Sequence, residues 1–257
     1  MNMIEQDIQK ELSDIERCED VKIIFAIESG SRAWGFPSAD SDYDIRFVYA
    51  HRPDWYISVY EGRDVIERPI SGLLDISGWD IKKALHLLRK SNPAMMEWQA
   101  SPIKYREHPT AYAELQTLSR QAFLPLASCH HYKSMMKEHQ KRAEGSDQVK
   151  YKIYLYALRA LLASMWVIRY KTQPPVLFPE LVNEFLPDGS IRNIIDELVK
   201  IKMSASETDT VARVPELDHF MDTEIAKVEL ALPEPVEGIS KQQCNEALRS
   251  ILDICWN

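Results

Sequence analysis

Strand-type patterns crowd the first third of this 257-residue chain, and helix-type patterns fill the rest. The run 21-VKIIFAIE-28, rich in β-branched residues, reads as a buried strand. Ahead of it, Ile4, Ile8, Leu12 and Ile15 recur at helical spacing. After the turn-rich 29-SGSRAWGFPSADS-41, the segments 42-DYDIRFVYA-50, 55-WYISVY-60 and 71-SGLLDIS-77 predict three further strands.

From Trp79 the pattern turns helical. Helices are predicted over 79–90, 123–143, 149–169, 190–203, 216–232 and 240–255. Gly145 is expected to stop the second of these, with Ser146 or Asp147 capping the third. The prolines of 171–189 limit that stretch to a connection with one short helix. The expected architecture is α+β: an N-terminal domain over 1–120, a mixed sheet with flanking helices, and an all-helical domain over 121–257.

Apolar residues make up 45% of the chain and charged residues 27%, which excludes collagen-like and largely disordered classes. The longest apolar runs fall well short of the roughly 20 residues that span a bilayer, so neither a signal peptide nor a membrane partner is expected. A net charge of −8 opposes non-specific coating of a polyanion, so contact with nucleic acid must be local. Cys18, Cys129, Cys244 and Cys255 have neither zinc-ligand nor disulfide-framework spacing, which points to a reducing cytoplasm.

The chemistry concentrates in 28-ESGSRAWGFPSADSDYDIRF-47. Gly30 permits close backbone approach to a ligand, and Ser31 adds a hydroxyl at a turn whose free N–H groups suit a phosphate. Asp42 and Asp44, two apart on a predicted strand, project from one face, where their repulsion calls for a cation such as Mg2+. Two such carboxylates can hold two metal ions of the kind used in nucleotidyl transfer, with a third acid arriving from a neighbouring strand. Asp75, inside the apolar 73-LLDI-76, is the favoured third acid; Asp80, at a helix start, is the alternative and is equally explained as a cap.

Gly30-Ser31, the ten-residue spacer and Asp42-Tyr43-Asp44 resemble the signature of the DNA polymerase beta nucleotidyltransferase superfamily. Within it, ESGSRAWGF, SDYDIRF, DISGWDIKKALHLL and SNPAMMEW look like the bacterial RNA-repair-pathway polymerase beta family. The resemblance implies transfer of a nucleoside monophosphate from a nucleoside triphosphate to a hydroxyl, dependent on Mg2+ or, in its place, Mn2+. A helical domain would close over the nucleotide. Asp42, Asp44 and Asp75 would be catalytic and metal-binding, Asp75 also helping to activate the acceptor. Gly30 and Ser31 would hold the β- and γ-phosphates, assisted by Arg32, for which pairing with an acid such as Asp40 is an equal alternative.

Lys152, Tyr156 and Arg159 share one face of a predicted helix and would form a second wall around the nucleotide; the competing reading is a solvated charged face. Residues 133–152 carry a local excess of basic side chains, a weak footprint for a nucleic-acid end. An RNA end is the favoured acceptor. A protein or small-molecule hydroxyl is the enzymatic alternative, and a non-catalytic nucleotide-binding module is the rival from another class. Nothing in the sequence specifies an oligomeric state.

Overall fold

The computed structural model describes residues 3–143, 147–204 and 210–257. The Gly145 stop and the Ser146 cap fall outside them, and Asp147 is described but precedes a short strand rather than a helix. Backbone packing divides the chain into two units: residues 1–33, 42–123 and 237–257, and residues 34–41 and 124–236.

The first unit contains α1 (Met3–Glu19), β1 (Val21–Glu28), α2 (Gly30–Trp34), β2 (Tyr43–His51), β3 (Val65–Glu67), β4 (Leu74–Asp80), α3 (Ile81–Arg89), α4 (Pro93–Gln99), β5 (Lys104–Glu107) and α5 (Pro109–Ala122). The last residue of α2 already belongs to the second unit. The strands form one sheet in the order β3-β4-β2-β1-β5, with β2 and β4 parallel and the other pairs antiparallel.

Each face of this sheet has its own core. On one, Ile8, Leu12 and Ile15 of α1 pack against Ile23, Ile45, Phe47, Tyr49 and Ile76. On the other, Ile24, Phe25, Ile27, Val48 and Ala50 meet apolar residues of α3, α4 and α5. A register shift in β1 between Ile23 and Phe25 lets Ile24 and Phe25 join the same core despite being adjacent. Gly78 of β4 is required by packing, since a Cβ there would sit 2.2 Å from the Phe47 ring.

The second unit contains α6 (Pro125–Ala143), β6 (Gln148–Lys150), α7 (Tyr151–Tyr170), α8 (Phe178–Phe185), α9 (Ser190–Ser204), β7 (Thr210–Ala212) and α10 (Pro215–Leu230). Helix α7 is its centre, packed by α6, α8, α9 and α10. It is long and apolar enough by composition to cross a membrane, which the reading of short apolar runs missed, but 67% of its most apolar stretch is buried within the protein.

The α+β class stands, with differences in detail. Residues 55–60 do not form a strand: Pro53–Ile57 is a 3-10 helix with Pro at its start, and Ile57, Val59 and Tyr60 are exposed. Strands are not confined to the first third, because β5 pairs with β1, and β6 with β7. The final helix, α11 (Lys241–Trp256), is part of the first unit, whereas the expected boundary put it with the helical one. Its Cys244, Ala247, Ile251, Leu252 and Cys255 are buried in the α3/α4/α5 core, and Trp256 Nε1 donates to the His51 carbonyl at 2.9 Å.

Candidate active site

Parallel pairing of β2 with β4 puts Asp44 directly beside Asp75. Alternation along each strand gives Asp44 the face of Val48, and Asp75 that of Trp79, which packs on the same core. Both acids therefore share a face, with side chains 28% and 33% exposed. Asp42, exposed, immediately precedes β2. Among the described residues, no three His, Cys, Asp or Glu side chains are gathered closely enough to hold a metal ion by themselves. The pair Asp44–Asp75 is assembled, and Asp42 is not gathered with it.

Arg46 joins the pair. Its Nη2 donates to Asp44 Oδ1 at 3.0 Å and to Asp75 Oδ2 at 2.7 Å, and its Nη1 donates to the carbonyls of Asp75 and Ile45 at 3.0 and 3.3 Å. The two bridged carboxylate oxygens thus lie within about 6 Å of each other.

The glycine turn abuts this pair. Gly30 has φ +62°, and a Cβ there would lie 2.1 Å from Asp44 Oδ2. The turn is laced to β2 by the Ser29 amide, which donates to the Asp44 carbonyl at 2.8 Å. Ser31 is buried. Arg32 lies with its guanidinium 3.7 Å over the Tyr43 ring and donates from Nε to the Asp42 carbonyl at 3.1 Å, tying the turn to the Asp-x-Asp strand.

Glu28, at the end of β1, is fully buried and accepts from the Asp44 amide at 2.8 Å and from the Tyr105 hydroxyl. Burial pushes its carboxyl up to about 7 despite these hydrogen bonds, and burial likewise raises the Tyr105 hydroxyl. Ser101 Oγ donates to the Glu28 carbonyl at 2.6 Å. Sequence reasoning assigned no role to Arg46, Glu28, Tyr105 or Ser101. The available signals were a cation two residues after Asp44, hence on its face, and an acid closing an apolar strand.

Asp80 is a cap. Its Oδ1 accepts from the Lys82 amide at 2.7 Å at the start of α3, and its Oδ2 accepts from the Tyr56 hydroxyl at 2.7 Å. Burial pushes its carboxyl up to about 6 against those hydrogen bonds.

Lys152, Tyr156 and Arg159 lie on α7 in the second unit. Arg159 is buried rather than on a solvated face: its guanidinium lies 4.3 Å over the Trp34 ring, and Nη2 donates to the Val176 carbonyl at 3.5 Å. Tyr156 meets the rings of Trp34 and His139 edge-on. In the same unit, the wholly buried Lys202 donates to Ser38 Oγ at 3.0 Å and Ser41 Oγ at 3.4 Å, pinning the segment that leads to Asp42. The basic stretch is partly neutralised, Lys133 and Lys137 pairing with Glu229 and Arg142 with Glu138.

Comparison with known proteins agrees with the resemblance. The Uncharacterized protein YcgL of Bacillus subtilis (strain 168) is 42% identical over 250 residues, covering 97% of this chain and 96% of that protein. A crystal structure of a nucleotidyltransferase-like protein from Exiguobacterium sibiricum 255-15 is 14% identical and covers 97% of this chain and 90% of its own, with a TM-score of 0.33, too distant a likeness to argue from. The model of the RlaP family, described as the RNA repair pathway DNA polymerase beta family, matches residues 4–250. By that match, and by its likeness to YcgL along nearly its whole length, the chain belongs to the RNA repair pathway DNA polymerase beta family.

Proposed function

We propose that this protein is a divalent-cation-dependent nucleotidyltransferase that moves a nucleoside monophosphate from a nucleoside triphosphate to the terminal hydroxyl of an RNA. The observation that carries this reading is the pairing of Asp44 with Asp75 on one sheet face, with Gly30 against Asp44. Family membership supplies the reaction class, and the repair context of the family favours RNA over a protein or small-molecule hydroxyl.

The donors fit a hard cation. Two partly exposed carboxylates offer oxygen ligands, and Mg2+ commonly takes one or two carboxylates and completes its shell with substrate phosphates and water. That suits a site in which, among the described residues, two acids are gathered, with Asp42 just ahead of the strand. A bound Mg2+ or Mn2+ would neutralise phosphate charge and polarise the reacting oxygens.

In this reading the glycine turn with Ser31 and Arg32 binds the β- and γ-phosphates. The acceptor oxygen forms a bond to the α-phosphorus while the bond to the β-phosphate bridging oxygen breaks, releasing pyrophosphate. Asp75 receives the hydroxyl proton. The free cysteines are compatible with a cytoplasmic setting, where such substrates are found.

The test is incubation with each labelled nucleoside triphosphate, Mg2+ or Mn2+, and RNA, DNA and protein acceptors, alongside Asp44→Asn and Asp75→Asn. Label on RNA with pyrophosphate release, both lost in the variants, is the expected result. Label on protein alone would redirect the acceptor assignment, and nucleotide binding without transfer to any acceptor would identify a non-catalytic module.

A further inference from the structure

The β1–β2 ladder ends beside Asp44. Its last pair sets Glu28 opposite Ile45, so the next would be Ser29 with Asp44. The Ser29 amide does donate to the Asp44 carbonyl at 2.8 Å, but at Gly30, with φ +62°, the chain turns off into α2. An antiparallel pair of this kind exchanges two hydrogen bonds, one each way. Here the Asp44 amide donates to a side chain, Glu28 Oε1, at 2.8 Å. A carboxylate thus stands at the ladder position that a strand carbonyl would hold.

The carboxylate is itself fixed. Its other oxygen accepts from the Tyr105 hydroxyl, while the Glu28 carbonyl accepts from Ser101 Oγ at 2.6 Å and the Glu28 amide donates to the Ile103 carbonyl at 3.0 Å. Side-chain alternation puts Ile27 in the α3/α4/α5 core and Glu28 on the opposite face, where Tyr105 packs on the α1 core. Asp44 and Asp75 are on the α3/α4/α5 side, so the wholly buried Glu28 braces Asp44 from behind the sheet. Burying a carboxyl group is costly, and an apolar side chain would continue the run 21–27 more cheaply; what Glu28 supplies instead is an acceptor for the Asp44 amide. We propose that Glu28 is a positioning residue: backed by Tyr105, it fixes the start of β2 and thereby the direction of the Asp44 side chain, and it touches neither nucleotide nor metal. The inference rests on the reading of Asp44 given above and adds the residue that aims it. The role requires an acceptor, so glutamine can fill it, its amide oxygen taking the Asp44 N–H and its NH2 donating to the Tyr105 oxygen.

The test compares E28Q with E28M, which is of similar length but lacks the acceptor. Labelled-nucleotide transfer is measured, and so is amide hydrogen exchange by nuclear magnetic resonance without nucleotide. E28Q is expected to stay within about threefold of wild type in kcat, and E28M to lose roughly 100-fold in kcat with KM for the triphosphate within about threefold. In E28M, exchange at the Asp44 amide should quicken by at least about tenfold, while that at Val48, mid-strand in the same ladder, stays within about threefold. A general loss of stability would quicken both. If circular dichroism shows E28M unfolded, Y105F takes its place, with about a fivefold fall in kcat and the same local pattern of exchange. Unchanged kcat in the variant used, E28Q as impaired as that variant, or equal quickening at Asp44 and Val48 overturns the inference. D44N separates the two levels: loss of transfer in it keeps the underlying reading whatever Glu28 does, and full transfer removes that reading and this inference with it.

Discussion

Replacing Gly30 with alanine isolates what the glycine turn contributes. The residue sits at φ +62°, where an L side chain costs roughly 1–2 kcal/mol. For a chain of this size that corresponds to a fall in Tm of about 2–8 °C. The added Cβ also starts 2.1 Å from Asp44 Oδ2, whereas ordinary contact begins near 3.4 Å, so the carboxylate must retreat by about 1.3 Å. A displacement of that size at a reacting centre lowers rate by roughly 100-fold. Gly72 provides the control: its φ is +60°, but a Cβ there meets nothing within 4 Å. Circular dichroism melts should show a loss from backbone strain alone in Gly72→Ala and a larger one in Gly30→Ala, where the clash adds to it, while labelled-nucleotide transfer should fall only in Gly30→Ala. Equal transfer in the two variants, or a folded Gly30→Ala protein within about twofold of wild type, would refute the argument that Asp44 works against this turn.

Three further expectations concern stability. Asp80, pushed up to about 6 by burial, binds its proton more tightly in the folded than in the unfolded chain. Its contribution therefore falls as pH rises from about 4 to 6, by on the order of 2–3 kcal/mol, and then levels off. Asp80→Asn, which can still cap α3, should flatten that part of the stability profile measured by urea unfolding; an unchanged slope would exclude Asp80 as its source. Gly78→Ala drives a methyl into the Phe47 ring and should cost about 1–3 kcal/mol, read as a lower urea midpoint; retained stability would mean that the strands can spread there. Ser240 and Gln243 form a capping box at α11, so Ser240→Ala should lower Tm by about 2–4 °C, and no change would show that this cap is dispensable.

The assembled pair was readable from short-range rules: Asp44 lies in an alternating strand pattern, and an acid within an apolar run suggested Asp75 on an adjoining strand. The expected partnership of Asp42 with Asp44 on one strand face was not met, because β2 begins at Tyr43 and leaves Asp42 exposed ahead of it. Asp80 was equally readable as a cap. The rest depended on partners distant in sequence. Residues 55–60 have strand-forming side chains, but Pro53 starts a 3-10 turn and Trp55 stacks on His51 at 4.2 Å, so the stretch joins no ladder. The short β3, β5, β6 and β7 exist through pairing with segments far along the chain or at a sheet edge, which local pattern does not reveal. Arg159 has the composition of a solvated helix face but finds Trp34, and Arg46 acquires its role only when β4 comes alongside β2.

The return of α11 to the sheet has a consequence for biogenesis. Its apolar stripe completes the layer begun by α3, α4 and α5, yet a ribosome must first produce the whole of residues 124–236. At roughly 5–20 residues per second, the nascent sheet leaves part of its greasy surface open for many seconds. During that interval it is a natural client for chaperones, and a transcript cut short before α11 would yield a protein prone to clump.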